Sequence, residues 1–312
     1  GSIPDFQAGS AIAVIMLVPS VIAITLLHGA ERFNFRYNKL SSIALQPDRL
    51  RDLSFGVVYI CVIAGILSVF AIMFIVPFIK SWPYQIVFTT ETLQRILSDR
   101  SIRGVFLNSL MVSSITAVCG TVLAYMAALV NARSHMPAAC KVLMDAVAMI
   151  ANTVPGMVLG VAYLFAFTGT PLQNTFAIII ILCMSRGFTT PYLMIKASLS
   201  KINLTWETTG ELMGDSWCQT LFRVIIPNTM ATVYQMLSYI FITTMVTISA
   251  IIFVTGARTM VMTTKIQEAL YFEKFDEVFV LSLLIFGTNI VAKIILDYLS
   301  DRKEKKGHVK EP

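Results

Sequence analysis

A chain of 312 residues that is 56% hydrophobic and only 13% charged falls well below the roughly 25% charged content of soluble globular proteins, so composition points to a membrane protein. The five cysteines, Cys61, Cys119, Cys140, Cys183 and Cys218, form no C-x-x-C pair, which argues against a disulfide framework and against a metal site. The formal charge of +6 invites a nucleic-acid partner, but the basic residues sort by membrane side, which is a topology signal instead.

Seven apolar runs reach the roughly 20 residues that a helix needs to cross a bilayer, at residues 9 to 28, 54 to 79, 104 to 131, 141 to 168, 173 to 195, 228 to 255 and 278 to 295. The expected fold class is all-α, a polytopic protein of about seven transmembrane helices in contact with membrane lipid. The first run is not read as a cleaved signal, because Asp5 stands where a signal carries Lys or Arg and Pro19 interrupts the apolar stretch. The loops at 29 to 53, 132 to 141 and 196 to 227 and the segment from Lys293 onward together hold 16 Lys and Arg, against seven in the loops at 80 to 103 and 256 to 277. The richer face is predicted to be cytoplasmic, with the C-terminus inside and the N-terminus outside.

Within the runs, Ser109, Ser113, Thr116 and Gly120 recur at helical spacing in the third, which is expected to be a helix-packing face. Asn152, Thr153, Pro155 and Gly156 interrupt the fourth with polar and helix-weakening residues, and irregular backbone at membrane depth is tolerated only beside protein or a wet cavity. Gly156 and Gly160 also form a small-x-x-x-small pair. Arg186 stands well inside the fifth run and is a functional candidate because a charge there is costly. Its obvious counterpart, Asp145, lies nearer the end of its own run, so a direct pair is not expected. Arg186 serves either transport or as an anchor to carbonyls or hydroxyls. Tyr239, Thr243 and Thr247 share a face of the sixth run at i, i+4 and i+8. The candidate solute path is therefore Asn152, Thr153, Gly156, Arg186, Tyr239, Thr243 and Thr247.

Between the fifth and sixth runs, the stretch Trp206 to Trp217, continuing to Pro227, reads as two short helices with a break. Gly214 suits a left-handed C-terminal cap, Ser216 and Gln219 make an S-x-x-Q capping box, and Pro227 fixes the entry into the next helix. Residue types alone allow an interfacial hairpin that merely joins two spans. The spacing, however, resembles the E-A-A, x3, Gly, x9, aliphatic, x, Leu, Pro signature of binding-protein-dependent ABC importer permeases. Gly214 and Pro227 stand at its separation, Val224 and Ile226 take the aliphatic positions, and Thr208, Thr209 and Gly210 replace Glu-Ala-Ala, with Glu207 one position early. Asn108-Ser109-Leu110, Pro155-Gly156-Met157-Val158-Leu159-Gly160 and Arg186 with Pro191-Tyr192 match further segments of that family in order.

The resemblance implies a coupling loop over 203 to 227, with Glu207, Thr208, Thr209, Gly210, Gly214 and Pro227 engaging an ATPase. It implies two ATP-binding subunits, a second permease half and an external solute-binding protein as partners. No cofactor is expected on this chain itself, ATP and Mg belonging to the partner subunit. The chain carries no phosphate-binding loop and is read as a non-catalytic subunit. It looks like the C-terminal half of a fused tandem ferric-iron-type permease. Residues 1 to 28 would be an extra span, 29 to 53 a cytoplasmic linker, 54 to 297 the permease domain and 298 to 312 a basic tail. Ferric iron is the first solute candidate, with aminoethylphosphonate, thiamine and polyamine as alternatives. A secondary transporter without an ATPase is the competing class, and only Asp145 and Arg186 are available for the charge relay it needs.

Overall fold

The computed structural model describes residues 48 to 82, 84 to 203 and 205 to 308, with isolated positions 15, 19 and 22; the side chains of 81, 151, 152 and 304 to 308 are not described. The first apolar run and nearly all of the 29 to 53 segment lie outside the described residues. The first described helix, α1 (Arg49–Ile75), begins where Asp48 accepts hydrogen bonds from the amides of Leu50 and Arg51. It is apolar on every side and buries no residue within this chain, as a helix facing lipid or a partner does.

A turn at Val76–Phe78 leads into a short antiparallel ribbon, β1 (Ile79–Ser81) and β2 (Gln85–Phe88), then α2 (Glu91–Ser98). The ribbon is a small addition to the all-helical architecture. The central helix α3 (Arg100–Arg133) starts at Asp99, which caps the amide of Ser101. Its 34 residues extend over about 50 Å, so it outruns the hydrocarbon layer of about 30 Å. Ser109, Ser113, Thr116 and Gly120 are all buried along it, and a methyl group on Gly120 would sit 3.2 Å from Ile240 Cδ1. This stripe is thus a packing face, where small residues let neighbouring helices close in.

The fourth run is two helices, α4 (Ala138–Thr153) and α5 (Gly156–Phe167). Pro155 has no N–H to donate and biases Val154 toward extended backbone. The fifth run is also divided, into α6 (Phe176–Arg186) and α7 (Thr189–Lys201), bent by 53° at Gly187–Phe188. After α8 (Thr205–Leu212) and α9 (Trp217–Thr220), a π-helical segment at Leu221–Ile225 leads into α10 (Ile226–Val246). The sixth run therefore stops being helical at Thr247, whose backbone turns extended, and resumes only as a short turn at Ile251–Phe253. Then come α11 (Met262–Tyr271) and α12 (Phe275–His308), which carries the helix into the 298 to 312 tail.

Among the described residues, four helical stretches are long and apolar enough to cross a membrane alone, or five if the bent α6–α7 pair counts as one span. Of the seven apolar runs, the first lies outside the described residues, and the fourth is divided at Pro155 into two helices each too short to count alone. The core forms three layers along α3. Ile102 and Val105 meet Met262, Val280 and Leu281 at one end. Val112 meets Ile179, Leu182 and Ile251 in the middle. Ala124, Tyr125 and Leu129 meet Tyr192, Leu199, Ile225 and Met236 at the other.

Candidate functional site

Helix α8 ends in a Schellman arrangement: Gly214 has φ +84°, its N–H bonds Glu211 O at 3.0 Å, and Asp215 N–H bonds Gly210 O at 2.9 Å. The pair of bonds satisfies carbonyls that a helix end leaves open. Next, the Ser216 N–H donates to Gln219 Oε1 at 2.7 Å and the Gln219 N–H to Ser216 Oγ at 3.4 Å, closing the capping box of α9. Pro227 stands where the π-helical segment passes into α10 within a continuous helix, and a local change of helix type accommodates a residue without an N–H. Gly210 is buried where α8 crosses α9, and a methyl there would lie 2.7 Å from Thr220 Oγ1. Thr208 and Thr209 are exposed. The element presents Leu212 and Met213, 84% and 79% exposed, together with Trp217 and Phe222.

Glu207 points inward. Its Oε1 lies 2.9 Å from Nε of Arg133, with the side chains only 19% and 6% exposed. The two atoms meet as an ion pair without hydrogen-bond alignment. Arg133 Nη2 donates to the carbonyls of Leu199 at 2.9 Å and Ile202 at 3.1 Å. One guanidinium at the end of α3 thereby ties the C-terminus of α7 to α8. Sequence reasoning missed it, since Arg133 enters there only as one more basic residue on the cytoplasmic side.

Asp145 accepts from Lys196 Nζ, from Tyr192 Oη at 2.7 Å and from Asn131 Nδ2 at 3.4 Å. It is committed to this cluster and is not paired with Arg186. Lys196, counted as a loop residue from sequence, sits on α7 because that helix runs through Lys201.

Where the α4–α5, α6–α7 and α10 breaks converge lies a cavity of about 560 Å³. Thr153, Gly156, Arg186, Tyr239, Thr243 and Thr247 all line it, joined by Cys183 and Ser249. Asn152 belongs to α4, but its side chain is not among the described ones. Arg186 closes α6 and donates from Nη1 to Thr247 Oγ1 at 3.4 Å. A methyl on Gly156 would fall 2.3 Å from Ser249 Oγ and 3.3 Å from Arg186 Cζ, so any larger residue must displace the Ser249 hydroxyl. Ser249 carried no signal in the sequence, because it follows the helix end at Thr247. Among the described residues, no group of three or more His, Cys, Asp or Glu side chains is placed to hold a metal ion.

The fold is similar to the bacterial ABC transporter for import of the acidic polysaccharide alginate, at TM-score 0.64 and 12% identity over 82% of this chain and 99% of that one. The same transporter in complex with an alginate pentasaccharide-bound periplasmic protein gives TM-score 0.66 and 12% identity, over 81% and 95%. An inward-facing structure of the MetNI methionine ABC transporter gives 0.53 and 15%, over 68% and 98%. No curated protein sequence matches the chain. Residues 120–305, more than half of the chain, match the family described as binding-protein-dependent transport system inner membrane component. The α8–α10 element, the broken helices and this match agree, and the chain belongs to that family, the non-catalytic membrane subunits of ABC importers.

Proposed function

We propose that this chain is one permease half of an importer that moves a small solute inward across the bacterial inner membrane by alternating access. Helix α8 and its flanking turn dock into an ATP-binding subunit, with Glu207 to Gly210 and Gly214 on or beside the contact and Pro227 setting the exit into α10. A second permease half, fused or separate, two ATPase subunits carrying ATP and Mg, and an external binding protein complete the assembly. The C-terminus faces the cytoplasm, and the loops around β1–β2, α2 and α11 receive the binding protein. Membership of the permease family leaves the secondary-transporter alternative without support.

The observation that carries this reading is the Arg133 junction. It joins the exposed apolar α8 element to the C-terminal carbonyls of α7, and α7 runs from there to the bend beside the cavity. A 13-residue helix is a lever of about 20 Å. Movement of α8 by the ATPase would thus turn the helix whose other end borders Arg186. Differential contacts of this kind in two states are what a switch requires. Ferric iron is the first candidate solute, and aminoethylphosphonate, thiamine and polyamine are the others. The test is purification of the intact complex from its native membrane, followed by ATP hydrolysis with solute-loaded binding proteins. Recovery of an ATPase subunit stimulated by one loaded binding protein supports the proposal, and a stable complex without an ATPase refutes it.

A further inference from the structure

The described lining of the cavity carries one formal charge, the Arg186 guanidinium, and no Asp or Glu. None of the ion pairs among the described residues includes Arg186, and Asp145 is held by Lys196 and Tyr192. The N-terminus of α5 adds to this charge. Pro155 caps it without a side-chain hydrogen bond, and Gly156 abuts both Arg186 and Ser249. A helix N-terminus is the equivalent of about half a positive charge with free N–H groups. The carbonyl ends of α6 and α10 offset part of that field, but among the described residues no carboxylate is paired with the guanidinium.

The threonine hydroxyls do not add to this positive character, because what they leave for a solute is lone pairs. Thr153, Thr243 and Thr247 spend their hydrogens on the carbonyls of Ile150, Tyr239 and Thr243. The donors that can face a solute include the guanidinium, Tyr239, Ser249 and the first amides of α5. A bare multivalent cation prefers carboxylate oxygens and would find here a fixed positive charge instead.

Resting on the assignment of this cavity to the solute path, we propose that Arg186 and the N-terminus of α5 make it an oxyanion-selective step. The transported solute then carries a phosphonate, phosphate or carboxylate, and a metal ion passes only as an anionic chelate.

The test uses the complete importer in nanodiscs, with the five native cysteines changed to serine and Thr243→Cys added. Labelling rates are measured with anionic sulfonatoethyl and cationic trimethylammonioethyl methanethiosulfonate. The same thiolate attacks the sulfenyl sulfur of either reagent and expels methanesulfinate, so their rate ratio cancels changes in thiol reactivity and reports the local potential. Adding Arg186→Gln should lower the anionic-to-cationic ratio on the order of tenfold, and Arg186→Lys should keep it. A ratio unchanged by Arg186→Gln overturns the charge assignment while leaving the permease intact. Labelling that leaves solute-stimulated ATP hydrolysis untouched overturns the path assignment instead. Protection of Thr243→Cys by inorganic phosphate or 2-aminoethylphosphonate identifies a free oxyanion, and protection by ferric citrate alone identifies an anionic chelate. Better protection by spermidine, or none by any oxyanion, overturns the proposal.

Discussion

Arg133→Gln is expected to loosen α8 from the bundle without unfolding it, and the structure sets the size of the effect. The change deletes two charge-assisted bonds, to Leu199 O and Ile202 O, and leaves Glu207 facing an uncharged neighbour. Removing one member of a buried ion pair costs about 3 to 5 kcal/mol. Glu207 retains some exposure and can recover water, so the lower end, about 3 kcal/mol, applies. At 1.4 kcal/mol per decade, that is on the order of a hundredfold in the population of docked α8. Glu207→Gln should cost less, because Arg133 keeps both carbonyls. The double variant should show a coupling of about 1 to 3 kcal/mol, as for residues in direct contact. In the reconstituted importer, basal ATP hydrolysis should persist in Arg133→Gln while stimulation by loaded binding protein is lost. Amide exchange over 205 to 212 should rise in parallel. Normal stimulation with unchanged exchange over 205 to 212 would refute the junction as the link between α8 and α7.

Gly214→Val should abolish solute-stimulated hydrolysis with the protein still in the membrane, and Gly214→Asn should retain most of it. Nothing lies within 4 Å of a methyl at this position, so the penalty is that of the left-handed backbone, about 1 to 2 kcal/mol for an ordinary residue; equal loss in both variants would contradict this. Gly210→Ala should weaken α8–α9 packing by about 1 to 3 kcal/mol, and Thr220→Ala in the same chain should restore stimulated hydrolysis by removing the oxygen 2.7 Å away. Gly160→Ala should lower the melting temperature of the detergent-purified complex, because its methyl would meet Ala250 O at 2.4 Å and Phe253 Cδ2 at 2.8 Å. Gly287→Ala, with open space around it in this chain, should be neutral or slightly stabilising through helix propensity.

The features legible in the sequence are those whose causes are local. The Gly214 cap, the Ser216–Gln219 box and the placement of Pro227 each depend on a few consecutive residues, so turn and capping chemistry reaches them directly. The interruption at Pro155 is local in the same sense. The bend after Arg186 and the end of α10 at Thr247 are not, because they fall inside apolar stretches that hydropathy joins into single spans. The Arg133–Glu207 and Lys196–Asp145 pairs join residues 74 and 51 positions apart. A loop-by-loop charge count treats such residues as markers of membrane side and has no means of pairing them.

Thr247 shows how periodicity can reach the right residue on a wrong backbone. Spacing of i, i+4 and i+8 places Tyr239, Thr243 and Thr247 on one face of a continuous helix, and all three border the cavity. Yet Thr247 is the residue at which the helix stops. Its hydroxyl still bonds Thr243 O at 2.6 Å, as a side chain one turn further along would. Its backbone carbonyl, freed from the ladder, accepts from Thr263 Oγ1 at 2.9 Å. The break satisfies its own polar groups through hydroxyl side chains, which is the condition for irregular backbone at membrane depth. It also turns the chain so that Ser249 comes against Gly156. A continuous helix would carry Ser249 about 200° around its surface from Thr247, to nearly the opposite side and away from this contact, at about 100° per residue. The contact that closes the cavity against α5 therefore exists because α10 ends where it does.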